Sequence, residues 1–256
     1  MNRRTNISNA SPSGSGAPRV SFCRYEYKYR LPAGLAGPIR AIVAAHLPHD
    51  KYSLIRPDHH YDISSLYIDS ADLRLCRESL SSQKNRFKLR IRGYDDNPDS
   101  PVFLEIKRRL NTVILKDRCL IGRGDVGIWN ESLRTAAADQ FHLYRQSLGA
   151  TPQALVRYER EAFESTDPGR LRVTFDRHLH TKITHKWEVK VGGTNWHPVY
   201  TGLVVLEIKF NGRYPSWLHS LVRQYQLQAV SVSKYTMSLH AGMPAANGML
   251  AARAGA

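Results

Sequence analysis

Apolar and polar residues alternate one for one through many short segments of this chain. RYEYKYRL (Arg24–Leu31) sets Tyr25, Tyr27 and Tyr29 against Glu26, Lys28 and Arg30, and RFKLRIRGY (Arg86–Tyr94) sets Phe87, Leu89 and Ile91 against Lys88, Arg90 and Arg92. A strand points successive side chains to opposite faces, so each segment predicts a two-faced strand. SSLYID (Ser64–Asp69), PVFLEIKRR (Pro101–Arg109), TVILKDRCLI (Thr112–Ile121), ALVRYEREAF (Ala154–Phe163), RLRVTFDRHL (Arg170–Leu179), HKWEVKVGG (His185–Gly193) and LVVLEIKF (Leu203–Phe210) extend the series. DDNPDS, before PVFLEIKRR, reads as a hairpin loop. Strands so short and so closely spaced predict a mainly antiparallel sheet or barrel.

Helical periodicity is rarer. GPIRAIVAAHL (Gly37–Leu47) spaces Ile39, Ile42, Val43, His46 and Leu47 on one face, with Pro38 suited to a first turn. ADLRLCRESL (Ala71–Leu80) is shorter. DVGIWNESLRTAAADQFHLYRQSL (Asp125–Leu148) predicts the longest helix, capped by Asp125. PSWLHSLVRQYQL (Pro215–Leu227) and SVSKYTMSLH (Ser231–His240) predict two more, the last begun by a serine. With only FLEIK (Phe103–Lys107) echoed as VLEIK (Val205–Lys209), there is no repeat array. One domain over residues 21–240 is expected, between a disordered tail at 1–20 and a flexible one at 241–256.

Charge changes the reading of the polar faces. The 256 residues carry a net charge of +15, which points to a polyanionic partner. Solvent-facing strands usually mix small polar residues with charges of both signs. Here the polar positions are mostly Lys and Arg, with single carboxylates among them. Like charges side by side repel, and an anion between them relieves that. A sheet closed on itself with these faces inward makes a basic lumen, its apolar faces packed on surrounding helices. Such a lumen suits a chain of phosphates, which Arg grips as a planar fork and Lys as a point charge. A carboxylate in that setting makes sense as a ligand for Mg²⁺ or Mn²⁺. Glu207, Glu105 and Glu26 are the candidates; a salt bridge to the lysine two residues on is the other reading of each.

The ordered set RYEYKYRL, SLYIDS, FKLRIRGY, FLEIKRR, LKDR, RYEREAF, LRVTFDR, VLEIKFNGRYPSWL and SVSKY resembles the VTC-type polyphosphate polymerase domain, a branch of the triphosphate tunnel metalloenzymes. The match runs from about Arg24 to Leu239. The resemblance implies an α+β fold: a closed, antiparallel, eight-stranded β-barrel, the tunnel, with helices packed around it. It implies that Lys28, Arg90, Arg92, Lys107, Lys116, Arg160, Arg172 and Lys209 line the tunnel and hold phosphates. Lys234 looks like the terminal basic residue of the set, Glu207 like the metal-binding glutamate, and Arg30 and Arg118 like further contacts. One departure stands out. Related tunnel phosphatases and cyclases begin with an E-x-E-x-K strand, whereas this chain reads Glu26-Tyr27-Lys28-Tyr29-Arg30. That favours the polymerase branch and weakens the case for a second metal on this strand.

The activity so implied is metal-dependent transfer of the terminal phosphate of a nucleoside triphosphate, ATP foremost, to a growing polyphosphate chain. A tripolyphosphate or nucleoside-triphosphate hydrolase of the same fold and a non-catalytic polyphosphate binder are the alternatives. Nucleic acid is not an expected partner, because the tyrosines alternate with the charges instead of sharing their face. Cys23, Cys76 and Cys119 are too far apart for a zinc site and fit a reducing compartment. No apolar run nears the ~18 residues of a membrane span. A soluble cytoplasmic protein is expected, with a separate membrane protein as a conceivable partner. Asp58-His59-His60 matches a phosphoesterase signature in only three residues and reads as a loop. P-loop and GxSxG motifs are absent.

Overall fold

A computed structural model of the chain describes residues 24–111, 113–128, 135–166 and 171–243. The expected N-terminal tail, Cys23 and all but the first three residues of the expected C-terminal tail lie outside these. Among the described residues nine strands form one antiparallel sheet. They are β1 (Arg24–Pro32), β2 (Tyr61–Asp69), β3 (Asn85–Gly93), β4 (Val102–Leu110), β5 (Val113–Ile121), β6 (Thr151–Glu164), β7 (Arg172–Ile183), β8 (His197–Pro198) and β9 (Leu203–Asn211). The helices are α1 (Ala33–His46), α2 (Lys51–Leu54), α3 (Arg74–Leu80), α4 (Ala136–Ser147), α5 (Ser216–Gln224) and α6 (Lys234–Gly242).

The strand order is β1-β9-β7-β6-β2-β3-β4-β5, with the two-residue β8 paired to β7. This corrects the expected closed barrel: the path has two ends, and no ladder joins β1 to β5 among the described residues. The segment after α5 supplies one reason. The amide of Val230 donates to the Lys28 carbonyl at 2.8 Å, so this segment, not β5, is the partner of β1 there. The sheet is nonetheless strongly curled, because Lys107 of β4 reaches Glu26 of β1 at 3.2 Å.

Alternation puts the aliphatic residues where expected on the outer faces. Leu206 and Ile208 of β9 and Val173 and Phe175 of β7 pack with Ile39 and Val43 of α1 and Leu218 and Leu221 of α5. Leu89, Ile91, Leu104 and Ile106 pack with Phe141 of α4. At about 25 cal/mol per Å² of buried apolar area, these clusters supply the main drive for wrapping helices on the sheet.

The inner face is not charged throughout, however. α6 docks inside the curl, where Tyr235 and Leu239 pack with Tyr67, Val156 and Tyr158. Its serine start is confirmed, since Ser233 Oγ accepts from the amide of Thr236. Gly242 lets the last turn approach β7; a Cβ there would sit 2.8 Å from Ile183 Cδ1.

Three local expectations fail for physical reasons, and one short helix carries no signal. HKWEVKVGG is a loop, because the Asp96 carboxylate takes the amides of Val191 and Gly192 that a neighbouring strand would have taken. Asp125 ends a single 3₁₀ turn; α4 starts at Ala136, where Thr135 Oγ1 accepts from the amide of Ala138. Residues 129–134 of that expected helix lie outside the described residues. Pro38 sits inside α1, which begins a turn earlier because the Ala33 amide bonds the Gly202 carbonyl at 2.8 Å. α2, capped by Asp50, has no periodic signal at four residues.

Candidate active site

Strands β3, β4 and β5 bring one carboxylate among four cations. Glu105 is fully buried. Its oxygens lie 2.6 Å from Arg90 Nη2, 4.0 Å from Arg92 Nε, 2.6 Å from Lys116 Nζ and 3.3 Å from Arg118 Nε. The register places Arg90 and Arg118 directly opposite it on either side. Burial pushes the Glu105 pKa up, but Arg90, Arg92 and Lys116 outweigh it and hold it far below the carboxylate range. A carboxylate so fully engaged is suited to holding cations in place.

A second group gathers where β1, β9, β6 and β7 meet. Glu26 lies 3.0 Å from Lys28, and Glu207 lies 3.0 Å from Lys209 and 3.7 Å from both Lys28 and Arg160. So each of these glutamates does pair with the lysine two residues on. Arg160 forks onto Asp176 at 2.6 and 2.8 Å, and Lys234 at the start of α6 reaches Asp176 at 2.6 Å. Asp176 is held at about 2: burial raises it, while Arg160 and Lys234 lower it further. Burial also raises Glu207, but Lys209 and Lys28 bring it well below the usual range.

Arg172 completes the ring of cations. It pairs with Asp50 at 2.6 Å and with Glu164, and donates to the Tyr61 hydroxyl at 3.2 Å.

Most of the cations face one cavity of about 330 Å³. Arg90, Arg92, Lys107, Lys116, Arg118, Arg160, Arg172 and Lys209 all line it, together with Glu26. A neighbouring cavity of about 220 Å³ shares Glu26 and Lys107 and adds Lys28 and Lys88. Of the cations expected from sequence, Lys234 and Arg30 line neither cavity: Lys234 is tied to Asp176, whereas Arg30 stays apart. It follows Lys28 on the same face of β1 but is exposed at the strand's end and lines neither cavity.

Sequence reasoning passed over three contributors. Asp176 shares the inner face with Arg172 by alternation. Lys88 shares that of Arg90 and was legible in the same way. Its ammonium donates to Ser233 Oγ at 2.7 Å, and burial together with Lys28 and Lys107 lowers its pKa to about 7. An anion nearby would restore its charge. Asp50 sits in a loop with no pattern to reveal it. The tyrosines also correct an expectation: Tyr61 and Tyr94 line the same cavity as the arginines, and Tyr67 and Tyr158 accept hydrogen bonds from Arg90 and Arg92.

Among the described residues no group of three or more acidic, His or Cys side chains is placed to enclose a metal. Glu26 and Glu207, however, both lie within 4 Å of the Lys28 ammonium, at 3.0 and 3.7 Å. Two hard carboxylates fit Mg²⁺ or Mn²⁺, which commonly takes one or two protein carboxylates and completes its shell with phosphate oxygens and water.

The VTC domain profile matches residues 23–242. No curated protein matches the chain at a significant level. Solved structures with a similar arrangement include a provisionally named adenylate cyclase from Bacillus halodurans. It is 12% identical with a TM-score of 0.45, over 82% of this chain and 95% of that one. A provisionally named adenylyl cyclase from Hippeastrum, with a dominant triphosphatase activity, is 16% identical with a TM-score of 0.47, over 85% and 96%. A protein from Pyrococcus horikoshii OT3 is 15% identical with a TM-score of 0.41, over 84% and 98%. At these values nothing about chemistry transfers to this chain.

Proposed function

Because the chain belongs to the VTC domain family, we propose that it is a polyphosphate-forming phosphotransferase that takes the terminal phosphate of a nucleoside triphosphate, ATP foremost. The observation that carries this reading is the convergence of cations from β1, β3, β4, β5, β6, β7 and β9 on adjoining cavities, with carboxylates of β1 and β9 both reaching the Lys28 ammonium.

The phosphates of the donor lie along Arg90, Arg92, Arg160 and Arg172, while Lys28, Lys107, Lys116 and Lys209 neutralise their oxygens. Glu26 and Glu207 would hold Mg²⁺ or Mn²⁺, which when bound withdraws charge from phosphate oxygens and the leaving group. Arg118 and Lys234 bind substrate at the margins. A terminal oxygen of the acceptor chain attacks the γ-phosphorus. The new P–O bond forms as the bond to the β–γ bridging oxygen breaks, and the nucleoside diphosphate departs with that electron pair. The protein contributes positioning and preorganised charge, with no side-chain nucleophile. Glu105 holds four cations in place. The cytoplasm as setting and a membrane protein as recipient of product belong to the same reading; among the described residues no helix is long and apolar enough to cross a membrane.

The experiment is to incubate purified protein with ATP and Mn²⁺ or Mg²⁺ and size the phosphate products on a gel. Chains of many phosphates are the expected product. Orthophosphate alone would replace the reading with hydrolysis, water being the acceptor in the same cavity. ATP left intact with either metal would leave a binding domain.

A further inference from the structure

We propose that the rim of the larger cavity, formed by Tyr52, Tyr61 and Tyr94, is a nucleobase-stacking subsite that sets nucleoside triphosphates apart from inorganic triphosphate. The inference rests on the reading that the cavity takes a triphosphate.

Four observations support it. All three rings line the cavity that holds Arg90, Arg160 and Arg172. They follow one another along its edge: Tyr52 and Tyr61 have centroids 5.9 Å apart, and Tyr61 and Tyr94 6.4 Å apart. Tyr52 is 52% exposed, with the Lys51 ammonium 5.0 Å from its ring centroid, whereas Tyr61 is buried. Finally, the rim is tied to the phosphate contacts. Asp50 Oδ1 accepts from the amides of Tyr52 and Ser53, while its other oxygen pairs with Arg172 and accepts from the Tyr61 hydroxyl at 3.4 Å. Tyr94 is fixed in turn by Arg118, which donates to its hydroxyl at 3.1 Å.

The chemistry follows from that arrangement. A base is flat and uncharged, so the cationic interior offers it little, but an exposed tyrosine face stacks any base. With the phosphates drawn inward by the arginines, the base is left at the mouth, where Tyr52 stands. The rim offers ring faces more than directed hydrogen bonds, so it favours a base over none without selecting strongly among bases.

The test compares two probes, ATP and inorganic tripolyphosphate, by calorimetric titration of the whole chain. Tyr52→Ala removes an exposed ring and is paired with Tyr52→Trp, which keeps an aromatic face. Tyr52→Ala is expected to weaken ATP roughly tenfold while tripolyphosphate changes less than twofold, and Tyr52→Trp to restore ATP binding. An equal loss for both probes, or no loss for either, overturns the subsite and leaves the triphosphate reading standing. Failure of the parent chain to bind either probe overturns both.

Discussion

Glu207→Gln lowers turnover by at least about 100-fold, the cost of losing charge neutralisation worth several kcal/mol at the transferring phosphate. The change is nearly isosteric but removes one partner of a buried ionic group, so a thermal melt of the variant accompanies the assay. Its value lies in a second readout. Glu207 lies among Lys28, Lys209 and Arg160, and removing its charge leaves those cations freer for phosphate. Tripolyphosphate binding without metal should therefore hold or tighten in the variant. The Mn²⁺ concentration giving half-maximal activity should rise. Parent-like turnover with an unchanged metal requirement would remove Glu207 from the site. Loss of tripolyphosphate binding together with activity would make it a structural pair only.

Glu105→Gln acts on stability. The carboxylate is buried and compensates Arg90, Arg92, Lys116 and Arg118 at once. Removing one partner of a buried ionic cluster costs about 3–5 kcal/mol, on the order of 10 °C in melting temperature at this size. An anion should repair part of the loss. Tripolyphosphate at a hundred times the parent's dissociation constant adds about 2.7 kcal/mol to the parent, and the same concentration should add more to the variant, whose freed cations bind it more tightly. The pH dependence has a definite sign. A carboxyl held below its unfolded value contributes stability above that value and loses it as the pH falls. Glu105 is held that way, so the parent should lose stability more steeply than the variant as the pH drops below about 4.5. Thermal melts with and without tripolyphosphate, from neutral to acid pH, check both points. A deficit under 1 kcal/mol with no anion effect would contradict this role.

Much of this site was legible in the sequence because alternation is a local rule. Arg90 and Arg92, or Glu207 and Lys209, share a face whatever the rest of the chain does. Membership of a common lumen was legible only as an inference from crowded charge; the register of β3, β4 and β5 sets Arg90 and Arg118 on either side of Glu105. Closure was not legible. Whether β1 meets β5 depends on a segment two hundred residues away, whose Val230 bonds β1 instead. The pattern of SVSKYTMSLH likewise predicts a helix without saying on which side of the sheet it docks. It docks inside, where Tyr235 hydrogen-bonds Asp69 at 2.9 Å. HKWEVKVGG misled because its alternation is real but its amides are met by one distant carboxylate, that of Asp96. Asp50 and Tyr52 carry no pattern, since a four-residue turn is too short to have one.

The most direct measurement is a calorimetric titration of tripolyphosphate into the parent chain and into Arg90→Ala and Arg172→Ala. If the basic rows enclose one shared cavity, the parent binds one equivalent per chain, and each substitution weakens it by at least tenfold though the two arginines lie on different strands. Weak binding at several equivalents, indifferent to both substitutions, would mean that the charges act as a surface and that no enclosed site exists.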